Sequence, residues 1–228
     1  MGYLTDKYDV SLLHMRGADG STDFIDESGK VWTARDNAQI DTAQYKFPSS
    51  SGLFDGTNDG ISSPDHVDWD FPGNFTVEAY VRMPAVDTRD CIASNTNFSI
   101  GDDGWGLTVT DAGVGSLRFS CMFAGAWAVN YSAAHGMSVN TWHHAAVVRN
   151  GITITLYVDG TSIGSVADNP VTSITGGNQM LIGEDAGGSY DFAGWIDELR
   201  ISKGIARWTA NFTPPTAPYG FVPRAGMI

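Results

Sequence analysis

The sequence predicts an all-β protein, with antiparallel strands in two sheets packed face to face. Three observations carry that prediction. Residues 75–83 (FTVEAYVRM) alternate apolar and polar side chains with a period of two, the signature of a strand. Residues 140–160 (NTWHHAAVVRNGITITLYVDG) repeat that period in two runs, joined at Asn150-Gly151 and closed by Asp159-Gly160. Both dipeptides suit tight turns with positive φ, and TSIGSV follows as a third strand, so this stretch reads as a meander. The third observation is compositional: of 26 acidic residues only four are Glu (27, 78, 184 and 198). Asp favours turns and caps whereas Glu favours helices.

The remaining elements follow in order. Residues 1–9 are polar and form an arm or an edge contact. Residues 9–15 (DVSLLHM) make the first strand. In GADGSTDFIDESGKVW two turns bracket Phe24 and Ile25. The run Gly52-Leu53-Phe54-Asp55-Gly56 is a short buried strand ending in a tight turn. In 75–83, Phe75, Val77, Ala79 and Val81 face the core, and Thr76, Glu78, Tyr80 and Arg82 face away. Four or five strands fill 87–131, with turns at Asn95, 102–104, 112–113 and Gly125, and 132–139 is a loop. Trp142, on the meander's first strand, is expected in the core with Val77. A strand at 180–185 precedes the loop AGGSYDF. The last long strand is 192–202, KGIARW is a helical turn at most, and NFTPPTAPYG closes the chain in extended form. At 228 residues one domain is expected over 1–228, with its core at about 9–219.

Composition excludes several functions. A net charge of −13 without a basic stripe argues against a nucleic-acid partner held through phosphates. No basic segment with an apolar run opens the chain, so no secretion signal is expected. No run of 18 apolar residues occurs, so no membrane insertion is expected either. Cys91 and Cys121 are read as buried thiols, or as a disulfide if their strands are neighbours.

Tyr157-Val158-Asp159-Gly160 after a strand opened by Trp142-His143-His144, the opening LLH…GADGST, and the closing IDELRISKGIARWTANFTPPTAP together carry a resemblance. The chain resembles the laminin G-like, concanavalin A-type lectin/glucanase jelly roll over roughly residues 9–219. The opening and closing runs look like those of bacteriophage structural proteins. That resemblance implies a virion-surface module made in the host cytoplasm. It would decorate a capsid or sit on a tail, contact other virion proteins and bind host-surface glycans. A single domain beginning at Met1 fits such an add-on, and a homo-oligomer stays open. A free or cell-surface carbohydrate-binding module is the alternative, and a glycoside hydrolase ranks last.

Hydrolysis ranks last on residue chemistry. Glucanases of this fold place Glu-x-Asp-x-x-Glu on one strand, because the reaction needs two carboxyls flanking the glycosidic bond. This chain lacks that run, and Asp197 and Glu198, being consecutive, are expected on opposite faces. No Gly-x-Ser-x-Gly occurs. Of His143 and His144, one is expected in the sandwich and one on a sheet face. The catalytic set is therefore empty.

Binding residues are more legible. Trp105, Trp127, Tyr131 and Tyr190 fall in or near loops and strand ends, close in sequence to Asn97, Asp102, Asp103, Asn130 and Asp191. Aromatic platforms beside planar polar groups suit sugars. The stretch 55–60 (DGTNDG) fails as an EF-hand, with Thr57 at the third position and His66 at the twelfth. The family resemblance instead implies one structural Ca2+ held by Asp197 and the Asp55-Gly56 turn; the alternative is that Asp197 accepts from turn amides. Phe221, Val222 and Ile228 are the candidates for attachment to a partner.

Overall fold

Alternating side chains become a sandwich once each strand finds its neighbours. The computed structural model describes residues 2–84, 90–110, 115–167 and 178–222. In chain order the strands are β1 (Gly2–Tyr3), β2 (Asp9–Leu13), β3 (Thr33–Arg35), β4 (Gln39–Asp41), β5 (Ser51–Asp55), β6 (Gly60–Ser63), β7 (Phe75–Arg82), β8 (Asp90–Ser94), β9 (Gly104–Val109), β10 (Ser116–Phe123), β11 (Ala126–Ala134), β12 (His143–Asn150), β13 (Thr153–Val158), β14 (Thr161–Ala167), β15 (Met180–Ile182), β16 (Ala193–Lys203) and β17 (Phe221–Val222). One 3-10 turn, Val67–Trp69, precedes β7.

Two large sheets result. A seven-stranded sheet runs β11-β10-β9-β8-β15-β6-β3, and an eight-stranded sheet runs β14-β13-β12-β7-β16-β5-β4 with β2 also paired to β16. All the pairings are antiparallel, including the small ribbon in which β1 pairs β17. Residues 87–131 give four strands where described; the expected turn at 112–113 lies outside the described residues. The loop expected at 132–139 starts later, because β11 continues to Ala134.

The core lies between the sheets. Phe75, Val77, Ala79 and Val81 of β7 meet Trp105, Leu107, Val109, Leu117 and Phe119 from the facing sheet. Val77 is fully buried, as expected, but Trp142 is not in the core. It precedes β12 and is only half-buried, because Ala145 and Val147 supply the inward face of that strand.

The outward face of the eight-stranded sheet is also covered. Residues 204–220 form an irregular strap across it, with no helical turn at 203–208. Trp208 and Phe212 stack at 3.9 Å over Ala146, Val148 and Tyr157. Gly160 has φ +74°, and a Cβ there would stand 1.9 Å from the Phe212 carbonyl oxygen, so only glycine admits the strap at that point. Beneath it lies a buried polar network. Glu78 accepts from Arg200 Nε at 2.8 Å and from the Trp208 indole at 2.8 Å. His144 Nε2 lies 3.2 Å from Glu78 and 3.0 Å from the Tyr219 hydroxyl. Burial alone would raise the Glu78 pKa, but Arg200, His144 and Trp208 outweigh it and hold the group at about 2.

Asp197 and Glu198 depart from strand alternation. The register of β16 on β7 shifts between Asp197 and Arg200, and Glu198 has φ 49°. This bulge puts Ile196 and Leu199 in the core and turns both acids outward, so the expectation of opposite faces is corrected. Cys91 and Cys121 are buried thiols on β8 and β10 with β9 between them, and they do not pair as a disulfide.

Candidate functional site

A platform forms on the outward face of the seven-stranded sheet. Because Trp105, Leu107 and Val109 point into the core, Gly106 and Thr108 of β9 point out. By the same rule Arg118 and Ser120 of β10 point out. On β11 the alternation reads Trp127, Val129, Tyr131, Ala133 along one face. A bulge intervenes: Cys121 pairs with Val129, but Met122 pairs with Trp127, which leaves Ala128 unpaired. The bulge re-aims Trp127 to the outward face, where its indole is 44% exposed.

Loop residues complete the platform. Phe98 stacks on Trp127, with centroids 6.1 Å apart and planes at 23°. Tyr190 meets Phe98 edge-on at 5.5 Å. The Arg118 guanidinium lies 5.4 Å from the Trp127 ring centre and donates to the Asn130 side-chain oxygen at 2.8 Å. Phe98, Thr108, Arg118, Ser120 and Tyr190 enclose a shallow crevice.

Local hydrogen bonds hold these loops in place. The Asp185 carboxylate, fully buried, accepts from the amides of Gly187, Ser189 and Tyr190, which winds residues 185–190 around it. Ser99 and Ser189 hydroxyls meet at 3.1 Å and tie this loop to the Phe98 loop. Asn97 accepts from the Ser99 amide, and Asp103 accepts from Gly125 at the β10–β11 turn.

The residues singled out in the sequence thus separate into groups. Trp127, Tyr190, Asn97 and Asp103 come together here, the last two as loop formers. Trp105 belongs to the core, 0% exposed, with its indole donating to the Trp69 carbonyl, so it offers no face to a ligand. Tyr131 turns inward toward β14, where a Cβ on Gly164 would stand 2.2 Å from its hydroxyl. Asp191 lies beside Glu184 and helps raise its pKa. Asn130, singled out beside the aromatics in the sequence, also belongs here, whereas Phe98 and Arg118 were not named from sequence. The signal for Phe98 was Gly106, an outward glycine between two core residues, which marks a close approach.

The Asp197 and Asp55-Gly56 ligand set does not assemble. Asp55 pairs with Ala193, four residues before Asp197 on β16, a separation of about 13 Å along a strand. Asp197 instead accepts from the amides of Lys46 and Phe47 at 2.9 and 3.1 Å. Among the described residues no group of three or more His, Cys, Asp or Glu side chains is placed to hold a metal.

Glu27, Glu78 and Glu198 lie away from the platform, whereas Glu184 directly precedes the 185–190 loop that carries Tyr190. Glu78 and Glu198 sit under the strap; Glu198 accepts from the Tyr219 amide and pairs with His14 at 2.7 Å. His144 is buried there too, while His143 stays partly exposed and pairs with Asp159. Arg35 lies 2.8 Å from Glu184, without hydrogen-bond alignment. Burial pushes Glu184 up to about 7, against the pull of Arg35. Glu27 is exposed near the first strand. Phe221 is 37% exposed, and the Val222 backbone pairs with Gly2, but Ile228 lies outside the described residues.

Two antiparallel sheets packed face to face are the architecture of a lectin-like jelly roll. The chain belongs to the concanavalin A-like lectin/glucanases superfamily, whose laminin G-type model matches residues 55–207. No curated protein matches it in sequence. Among solved structures it is similar to the binding domain of Paraclostridial Mosquitocidal Protein 1. There the identity is 16% and the TM-score 0.65, over 86% of this chain and 48% of that one. It is also similar to the receptor-binding domain of botulinum neurotoxin D, at 14% identity and TM-score 0.62, over 87% and 50%. Domain 4 of an extracellular arabinanase from Geobacillus stearothermophilus, solved with arabinotriose, matches at 17% and 0.62, over 86% and 94%. The chain therefore spans about half of the toxin domains but nearly all of the arabinanase domain.

Proposed function

We propose that this chain is a non-catalytic carbohydrate-binding module whose site is the Phe98–Trp127–Tyr190 platform. One observation carries the reading: a bulge and a bare glycine bring an exposed indole and two further rings onto one sheet face, beside Arg118, Ser120 and Asn130. Rings of this kind stack on the apolar faces of sugars, while the side-chain amide and hydroxyl address their hydroxyls. The arabinanase domain supports the ligand class, since that protein was solved with an oligosaccharide. The distance of Glu27, Glu78 and Glu198 from the platform supports binding without hydrolysis, because two carboxyls flanking a bond are what hydrolysis requires.

The module's setting, in the same proposal, is a virion surface, either capsid or tail, where it displays the platform toward host glycans. Support comes from the likeness of its opening and closing runs to phage structural proteins. The β1–β17 ribbon brings residues 2–3 and 221–222 together, so attachment through Phe221 and the residues after it would leave the platform free.

Titration of the purified chain with arabino-oligosaccharides and bacterial surface polysaccharides tests the ligand class. Saturable binding that Trp127→Ala abolishes is expected. No binding to any member of the panel, or binding indifferent to Trp127→Ala, would refute the platform. Release of reducing sugar, lost on a single carboxylate substitution, would establish a hydrolase instead. Mass spectrometry of purified particles tests the setting.

A further inference from the structure

The two sides of the sandwich end differently. On one side the sheets finish in β3 and β4, three residues each, carrying Arg35 and Asp41. Short charged edges discourage pairing with another chain. On the other side they finish in β11, nine residues long, and β14, seven. Neither strand contains Asp, Glu, Lys, Arg or Pro, although 17% of the chain is charged. The two edges lie against each other, as the contact of Tyr131 with Gly164 shows. Among the described residues the β11 backbone pairs with β10 alone. Alternate N–H and C=O groups along β11 therefore point away from the sheet.

We propose that β11 is a dimerisation edge: two copies pair β11 with β11, antiparallel, and join their seven-stranded sheets into one. A second copy is the occupant that the charge pattern selects. Each copy carries −13, so copies repel wherever acidic surfaces meet, and this side lets them approach without that cost. A strand paired with itself about a two-fold axis is self-complementary and closes at two. Side-chain alternation also fits. Asn130, Ser132 and Ala134 are exposed on the outward face, while Val129, Tyr131 and Ala133 pack inward, so the junction continues both faces of the sheet.

The two-fold axis of such a pair stands perpendicular to the sheet. Both Trp127 platforms then face the same side of the dimer, next to the junction. On the glycan reading, two linked sites on one surface raise avidity by roughly 10²–10⁴ over a single site. That consequence rests on the proposed function, whereas the dimer itself does not.

Sedimentation velocity of the full chain at roughly 100 μM, without sugar, tests the proposal. A dimer is expected. Ser132→Lys with Ala134→Lys, both on exposed positions, should give a monomer with an unchanged circular dichroism spectrum and melting temperature. Thr33→Lys, on the opposite edge, should remain dimeric, as should Trp127→Ala, which separates assembly from sugar binding. If the double variant misfolds, Ala134→Lys alone decides. A monomeric parent, or a folded lysine variant that stays dimeric, overturns the proposal.

Discussion

Phe98 rests directly on Gly106: a Cβ built on that glycine would stand 2.4 Å from the ring's Cζ. The ring comes from the loop after β8, and the glycine sits mid-strand on β9, so the contact seats the platform on the sheet. Gly106→Ala should push Phe98 off and separate it from Trp127. We expect at least tenfold weaker glycan binding, about 1.4 kcal/mol, with the fold intact. Unchanged affinity in a titration would remove Phe98 from the site.

The two tryptophans named together from sequence should respond to different degrees. Trp105 is fully buried between the sheets, so Trp105→Ala should lower stability by about 3–5 kcal/mol. Trp127 is 44% exposed, and Trp127→Ala should cost less, about 1–2 kcal/mol, the worth of its stack on Phe98 and its contact with Arg118. Urea denaturation of both variants checks this.

Glu78→Gln should expose what the strap protects. It removes the carboxylate that faces Arg200 and leaves a buried guanidinium without its counter-charge. Breaking such a pair costs about 3–5 kcal/mol. The Glu78 pKa is depressed in the fold, to about 2 from 4.5. Its contribution is therefore present above the unfolded value and is lost as pH falls through about 2. Acid denaturation of the parent should show that loss, and the Gln variant should lack it.

Asp197 titrates with the opposite sign. Burial, with the neighbouring Glu198 charge, pushes it up to about 8 from 3.8. Its contribution is present below the unfolded value and is lost as pH rises through about 8. Asp197→Asn keeps an acceptor for the Lys46 and Phe47 amides. Between pH 4 and pH 8 its stability should therefore fall less than the parent's. Melting curves across that range check it. Curves of the parent in EDTA and in calcium should superimpose, because the Asp55 turn lies along β16 from Asp197; a calcium-dependent rise would restore a cation to this site.

The sequence by itself determined the long strands, their turns and the inward face of β7, but not the short strands β3, β4 and β6. Alternation and turn dipeptides are local, and one buried sheet face follows from them. It also pointed to Trp127, Tyr190, Asn97, Asp103 and Asn130. Tertiary structure alone decided which aromatic lies on which face. Trp105 and Trp127 look alike in sequence, yet strand pairing buries one, and the bulge between β10 and β11 turns the other out. The same holds for Asp197 and Glu198, which a bulge puts on one face against the two-residue period. Coverage of the outward face of the eight-stranded sheet was equally hidden. Glu78, Thr76 and Tyr80 alternate as a solvent face would, but the strap from residue 204 onward buries them. Period two reports which residues share a face. What covers that face depends on segments more than a hundred residues away, such as Trp208 against Glu78.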